Sequence, residues 1–111
     1  MVRIYAQVHL DLLLLAVISA KPGDGAAVMR ELRERSGGRF TPPSRTVYGA
    51  LNHLERNRLI QRSYVEPRRY KLTDSGRRSL HTRRMEWESF ATGVYAVLQS
   101  ARTGQRAGDL R

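Results

Sequence analysis

The sequence contains no cysteine. Disulfides, thiol nucleophiles and thiolate-held zinc are therefore excluded. Histidine is scarce: His9, His53 and His81 lie far apart and carry no ligand spacing. Lysine is confined to Lys21 and Lys71, and acidic residues number ten against twenty basic ones. The few carboxylates mostly stand beside arginines, and no nucleophile motif accompanies them, so neither an enzyme nor a cofactor is expected. Long apolar runs are also missing. Leu10–Ala20, behind a start containing Arg3, is interrupted by Asp11 and is roughly half the length that crosses a bilayer. Such a run is expected as a buried core helix rather than a secretion signal or membrane anchor, and a cytoplasmic protein follows.

What is present is positive charge. The net charge is +10, the isoelectric point is about 11.2, and nearly all the basic residues are arginine. A polyanionic partner is expected: DNA, RNA or an acidic membrane surface. The planar, multi-donor guanidinium suits phosphates and guanine edges. At 111 residues the chain fits one domain, with modest burial alone, so association with a second copy is a natural way to bury more.

Residues 4–20 read as a first helix, apolar on every face between Leu12 and Ile18, which requires cover on more than one side. One cover is the domain's own core, and the other is expected to be a second subunit. Lys21-Pro22-Gly23-Asp24-Gly25 breaks the chain. Asp24 is placed to cap a second helix with Val28, Met29 and Leu32 inward. Arg30, Arg33, Glu34 and Arg35 form its polar face, and Ser36-Gly37-Gly38 ends it. Arg39 and Phe40 are expected as a short extended link. Thr41-Pro42-Pro43 opens a third helix, with Thr41 the expected cap. Val47, Ala50, Leu51 and Leu54 make its inward stripe. The opposite face carries Arg45, Tyr48, Gly49, Asn52 and Arg56.

From Leu59 the period shortens to two. Ile60 to Val65, and Arg68 to Thr73 after Glu66-Pro67, read as a hairpin of two strands of about five residues. Such a hairpin must lean on the helices. Thr73-Asp74-Ser75 starts a last helix running to about Ala101. Leu80, Trp87, Val94 and Ala101 recur every seven residues along it. Phe90, Ala91, Val97 and Leu98 fill the same stripe, which suits packing along another long helix. The fold class expected is mainly α with a small β-hairpin. Residues 1–74 form a winged helix-turn-helix, residues 75–102 a dimerisation helix, and residues 103–111 a disordered tail.

At this point the chain resembles the PadR-like transcriptional regulators, from about Leu12 to Leu98. The matching residues are Thr46-Val47-Tyr48, Ala50-Leu51, Leu54-Glu55, Leu59-Ile60, Arg69-Tyr70-Lys71-Leu72-Thr73 and Gly76. The sequence departs from the pattern in four places. Asp24-Gly25-Ala26 opens the second helix, Gly49 follows the tyrosine, Arg45 precedes the Thr, and the wing is short. The resemblance implies a repressor acting on neighbouring promoters. In the short multidrug-responsive members the tryptophan of the last helix lines a cavity between subunits and stacks on flat aromatic compounds. That implies Trp87 and Phe90 as effector contacts, where packing alone is the simpler reading of a large aromatic. Tyr5 and Tyr95 could line or fill the same space.

The physical roles follow. The third helix is expected in the major groove of double-stranded DNA. Arg45 suits bidentate guanine reading, and Asn52 suits adenine or a phosphate. Ser44, Thr46 and Tyr48 suit phosphates, and Arg62, Arg68, Arg69 and Lys71 make the hairpin a second basic element. The dimer interface is expected at Leu80, Trp87, Phe90, Ala91, Val94, Val97 and Leu98, giving a homodimer on a palindromic operator. A basic winged-helix RNA-binding module, or a protein-interaction adaptor without effector sensing, remains the alternative.

Overall fold

The computed structural model describes residues 7–65 and 68–109. Its elements run α1 (Gln7–Ala20), α2 (Gly25–Arg35), α3 (Ser44–Arg56), β1 (Ile60–Arg62), β2 (Tyr70–Leu72) and α4 (Asp74–Asp109). The mainly helical fold with one hairpin is the one expected. Residues 4–6 of the expected first helix, the Glu66-Pro67 turn and Tyr5 lie outside the described residues. The chain divides into two compact units, Met1–His81 and Thr82–Arg111.

The first unit is built around α1. Leu10, Leu14, Leu15, Val17 and Ile18 are buried, and α1 packs against α2, α3 and β2. Leu12, Leu13 and Ala16 are partly buried against the same core. Much of its all-round apolarity is thus met inside the unit, and Leu12, Leu13 and Ala16 keep some exposed surface. Val28 and Leu32 of α2, Val47, Ala50, Leu51 and Leu54 of α3, and Ile60, Tyr70 and Leu72 of the hairpin complete the core. Full burial of one such aliphatic side chain contributes roughly 1.5–3 kcal/mol.

Local chemistry sets the ends of the helices. The Asp24 carboxylate accepts from the Ala27 N–H at 2.8 Å and caps α2, as expected. After α2, Gly37 and Gly38 take positive φ of 64° and 79°. Their N–H groups return to Glu34 and Arg33 carbonyls at 3.1 and 2.8 Å, a Schellman closure. The same closure ends α3, with Arg58 N–H to Glu55 and Leu59 N–H to Leu54, each 3.0 Å. There the left-handed residue is Arg58, φ 61°, with no glycine to ease it.

Helix α3 starts later than the sequence suggested. Thr41 and Pro42 each precede a proline, and that position disfavours helical backbone. The N-cap is Pro43, extended at φ −58° and ψ 149°. Thr41, the expected cap, stands two residues outside.

The strands pair antiparallel with Ile60 opposite Leu72, Gln61 opposite Lys71 and Arg62 opposite Tyr70. Each has three residues, shorter than expected. A bridge from Gly23 to Tyr70 ties the hairpin back to the chain before α2. At the start of α4, the Thr73 hydroxyl donates to the Arg58 carbonyl at 2.7 Å and accepts from the Gly76 N–H at 2.9 Å. Gly76 lies so close to the Leu59 carbonyl that a side chain there would collide with it.

In the second unit α4 continues to Asp109. Its sequence holds no proline, and Gln105, Arg106 and Ala107 favour helix.

Candidate nucleic-acid interface

The first turn of α3 holds Ser44, Arg45 and Thr46, all exposed. No acidic residue lies in that turn, and its N-cap, Pro43, makes no side-chain cap hydrogen bond. A helix start of this kind presents N–H donors and a partial positive charge outward, which favours an anion. Arg45 adds a full charge at the same place. Val47, Ala50, Leu51 and Leu54 are buried, so the packing of α3 fixes which face stays outward. Asn52, two turns along, is exposed on that outward face with Gly49 and Arg56.

Tyr48 sits differently. Its ring lies against Gly25, in the space a Cβ would occupy. It remains 43% exposed, so the phenol edge is accessible while the ring braces α3 on the start of α2. This explains Gly25 where the resemblance led to a different opening of the second helix. The contact was illegible in the sequence, because nothing pairs positions 25 and 48 except the fold.

The hairpin separates its basic residues. Arg62 is engaged: its guanidinium lies 3.6 Å from the Glu55 carboxylate of α3 and 5.7 Å from the centre of the Tyr70 ring. It therefore ties the wing to α3 and has less freedom to reach a ligand. Burial pushes the Tyr70 phenol up, against the opposing pull of Arg62, so the ring stays neutral beneath that guanidinium. Arg68 and Arg69 are exposed just before β2, and Lys71 is exposed between buried Tyr70 and Leu72. The hairpin narrows to the Ser63 N–H to Arg69 carbonyl bond at 3.0 Å.

The expected seam divides as well. Leu80 is 6% exposed and belongs to the first unit's own core. Strict seven-residue periodicity could not reveal this, because a core position and a seam position look alike. In the second unit Trp87, Phe90, Val94, Val97 and Leu98 are exposed and Ala91 is half-buried. Phe90 is 62% and Leu98 63% exposed. Trp87 and Phe90 have ring centres 5.7 Å apart, tilted by 35°. Phe90, Gly93, Val94, Val97 and Leu98 line an apolar groove of about 450 Å³. Tyr95 is also exposed. Among the described residues, no helix is long and apolar enough to cross a membrane.

Comparisons with known proteins agree with this geometry. The pattern of the transcriptional regulator PadR-like family matches residues 14–82. A PadR family transcription regulator from Clostridium difficile is similar at 27% identity and a TM-score of 0.71, covering 81% of this chain and 98% of its own. A transcriptional regulator from Clostridium thermocellum has 23% identity and a TM-score of 0.73, covering 84% and 96%. A PadR-like regulator from Bacillus cereus has 23% identity and a TM-score of 0.70, covering 81% and 91%. The last two show likeness of fold alone. No curated protein matches in sequence.

Proposed function

Because the chain belongs to the transcriptional regulator PadR-like family, a family of regulators rather than enzymes, we propose that it is a dimeric, cytoplasmic repressor of a palindromic DNA operator. The observation that carries the reading is the open first turn of α3, where Ser44, Arg45 and Thr46 stand exposed without a carboxylate. In this reading Arg45 reads a guanine edge in the major groove. Ser44, Thr46 and Tyr48 hold phosphates and set register. Asn52 meets an adenine or a phosphate. Arg68, Arg69 and Lys71 follow the backbone beside the groove, and Arg62 positions the wing.

Two copies pair along Trp87, Phe90, Ala91, Val94, Val97 and Leu98. Large apolar side chains left in water on one helix are the mark of an interface, and Gly93 in the groove lets a partner helix approach closely. A two-fold pair then matches two half-sites one helical turn apart, about 34 Å. Trp87 and Phe90 are the proposed seat for a flat aromatic compound held between copies. Such a compound releases DNA only if it favours one spacing of the paired recognition helices over the other.

The test is Val94→Asp, which places an unpaired charge in the seam. The variant is expected to sediment as a monomer and to lose operator binding, with helical content retained by circular dichroism. A variant that remains dimeric removes the seam from this reading. Parent protein that prefers structured RNA to duplex DNA in direct competition removes the operator.

A further inference from the structure

A second cavity lies in the first unit, between α2 and the chain entering α3, with a volume of about 310 Å³. That is at the small end of ligand sites, roughly 300–1,000 Å³. Its apolar wall is made by Met29, Leu32, Pro42 and Val47, and Arg30 and Arg33 stand at its edge. Leu32 and Val47 are fully packed beneath it, while both arginines are exposed. Among the described residues neither guanidinium has a carboxylate or hydrogen-bond partner. Their neighbour Arg35 is different, being tied to Glu31 at 2.8 Å. Arg30 and Arg33 lie three residues apart on one helix, so their side chains share a face.

We propose that this cavity binds a small amphipathic carboxylate, its apolar body on the Met29–Val47 wall and its anionic head between Arg30 and Arg33. Two guanidiniums suit a carboxylate through charge-assisted, forked hydrogen bonds. An apolar body covers the partly exposed Met29 and Pro42 of that wall. The wall decides against a bare phosphate of a DNA backbone, which would use the arginines and leave Met29 and Pro42 partly wet. The site is separate from the α4 groove and needs no DNA, so its failure would leave the regulator reading intact.

The experiment uses the full chain, octanoate as probe, octanol as its uncharged counterpart, and methyl NMR. Octanoate is expected to shift the Met29, Leu32 and Val47 signals saturably, with a dissociation constant of about 1 mM or below. Octanol is expected to bind at least about tenfold more weakly, a difference of about 1.4 kcal/mol. Arg30→Ala with Arg33→Ala, both surface changes, should keep the parent spectrum and lose at least about tenfold in octanoate affinity. Equal binding of octanol, unchanged affinity in the double variant, or shifts confined to Val94, Val97 and Leu98 would each overturn the proposal. So would a double variant with a reduced salt dependence of DNA binding in a protein whose spectrum ignores octanoate, since the pair would then be a phosphate clamp.

Discussion

Two backbone positions help to close the first unit, and they respond to substitution in opposite directions. Gly76 touches the Leu59 carbonyl, while Thr73 anchors the same turn through the Arg58 carbonyl. Alanine at 76 gains about 1 kcal/mol of helix propensity. It must also push rigid backbone aside, an overpacking cost of about 1–3 kcal/mol and sometimes more. The collision wins, and Gly76→Ala is expected to lower stability by about 2 kcal/mol in urea unfolding at fixed protein concentration. An unchanged midpoint would mean the turn yields freely. Arg58 is the reverse case. Its left-handed backbone costs about 1–2 kcal/mol in a residue with a Cβ, and glycine returns about 0.4–1 kcal/mol of that as added freedom of the unfolded chain. Arg58→Gly is therefore expected to raise stability by about 0.5–1 kcal/mol in the same assay. A loss of stability would show that the arginine side chain contributes more than its backbone costs.

At the scale of elements, α2 is held by charge as well as by packing. Buried Glu31 takes Arg35 at 2.8 Å and Lys21 at 3.1 Å. The Arg35 hydrogen bond, then that of Lys21, hold its carboxyl below the usual carboxylate range. A folded-state value lower than the unfolded one stabilises above the ordinary glutamate pKa, and the gain disappears as pH falls through the folded value. Glu31→Gln should therefore melt below the parent at pH 7. The gap should close as the pH is taken below the ordinary glutamate range. A gap that persists undiminished into acid would assign the effect to packing. Lys21 and Arg35 are largely exposed, so the gap should also narrow in high salt.

The elements were mostly legible in the sequence, because they follow from periodicity and breakers. The inward stripe of α3, the Asp24 cap and the glycine stop after α2 all appear where residue chemistry put them. Other features depend on what surrounds a residue. Thr41 has the chemistry of a cap, but two prolines after it hold the chain extended. Leu80 has the spacing of a seam residue, but the first unit closes over it. Arg62 has the charge expected of a DNA contact, and the fold also sets it beside Glu55 and Tyr70. In the candidate site the residue types were readable and their freedom to act was not.

For the whole molecule, the deciding quantity is how the +10 charge is spent on DNA. The proposed dimer, contacting about six to ten phosphates, should lose roughly 10³–10⁵ in affinity between 50 and 200 mM salt. Fluorescence anisotropy with a labelled duplex measures this directly. Two substitutions then separate reading from holding. Lys71, exposed on β2, is assigned to the backbone, so Lys71→Ala should weaken all sequences alike and reduce the salt slope by about 1 per copy. Arg45, in the open first turn of α3, is assigned to a base edge. Arg45→Ala should cost about 1–3 kcal/mol per half-site on the preferred operator, leave non-specific binding nearly intact, and relax preference at one position. If Arg45→Ala merely flattens the salt slope, Arg45 belongs with the phosphate contacts, and sequence reading moves to Asn52 on the same face of α3. If neither substitution changes binding, the basic face is a solvated surface and the DNA contact lies elsewhere on the chain.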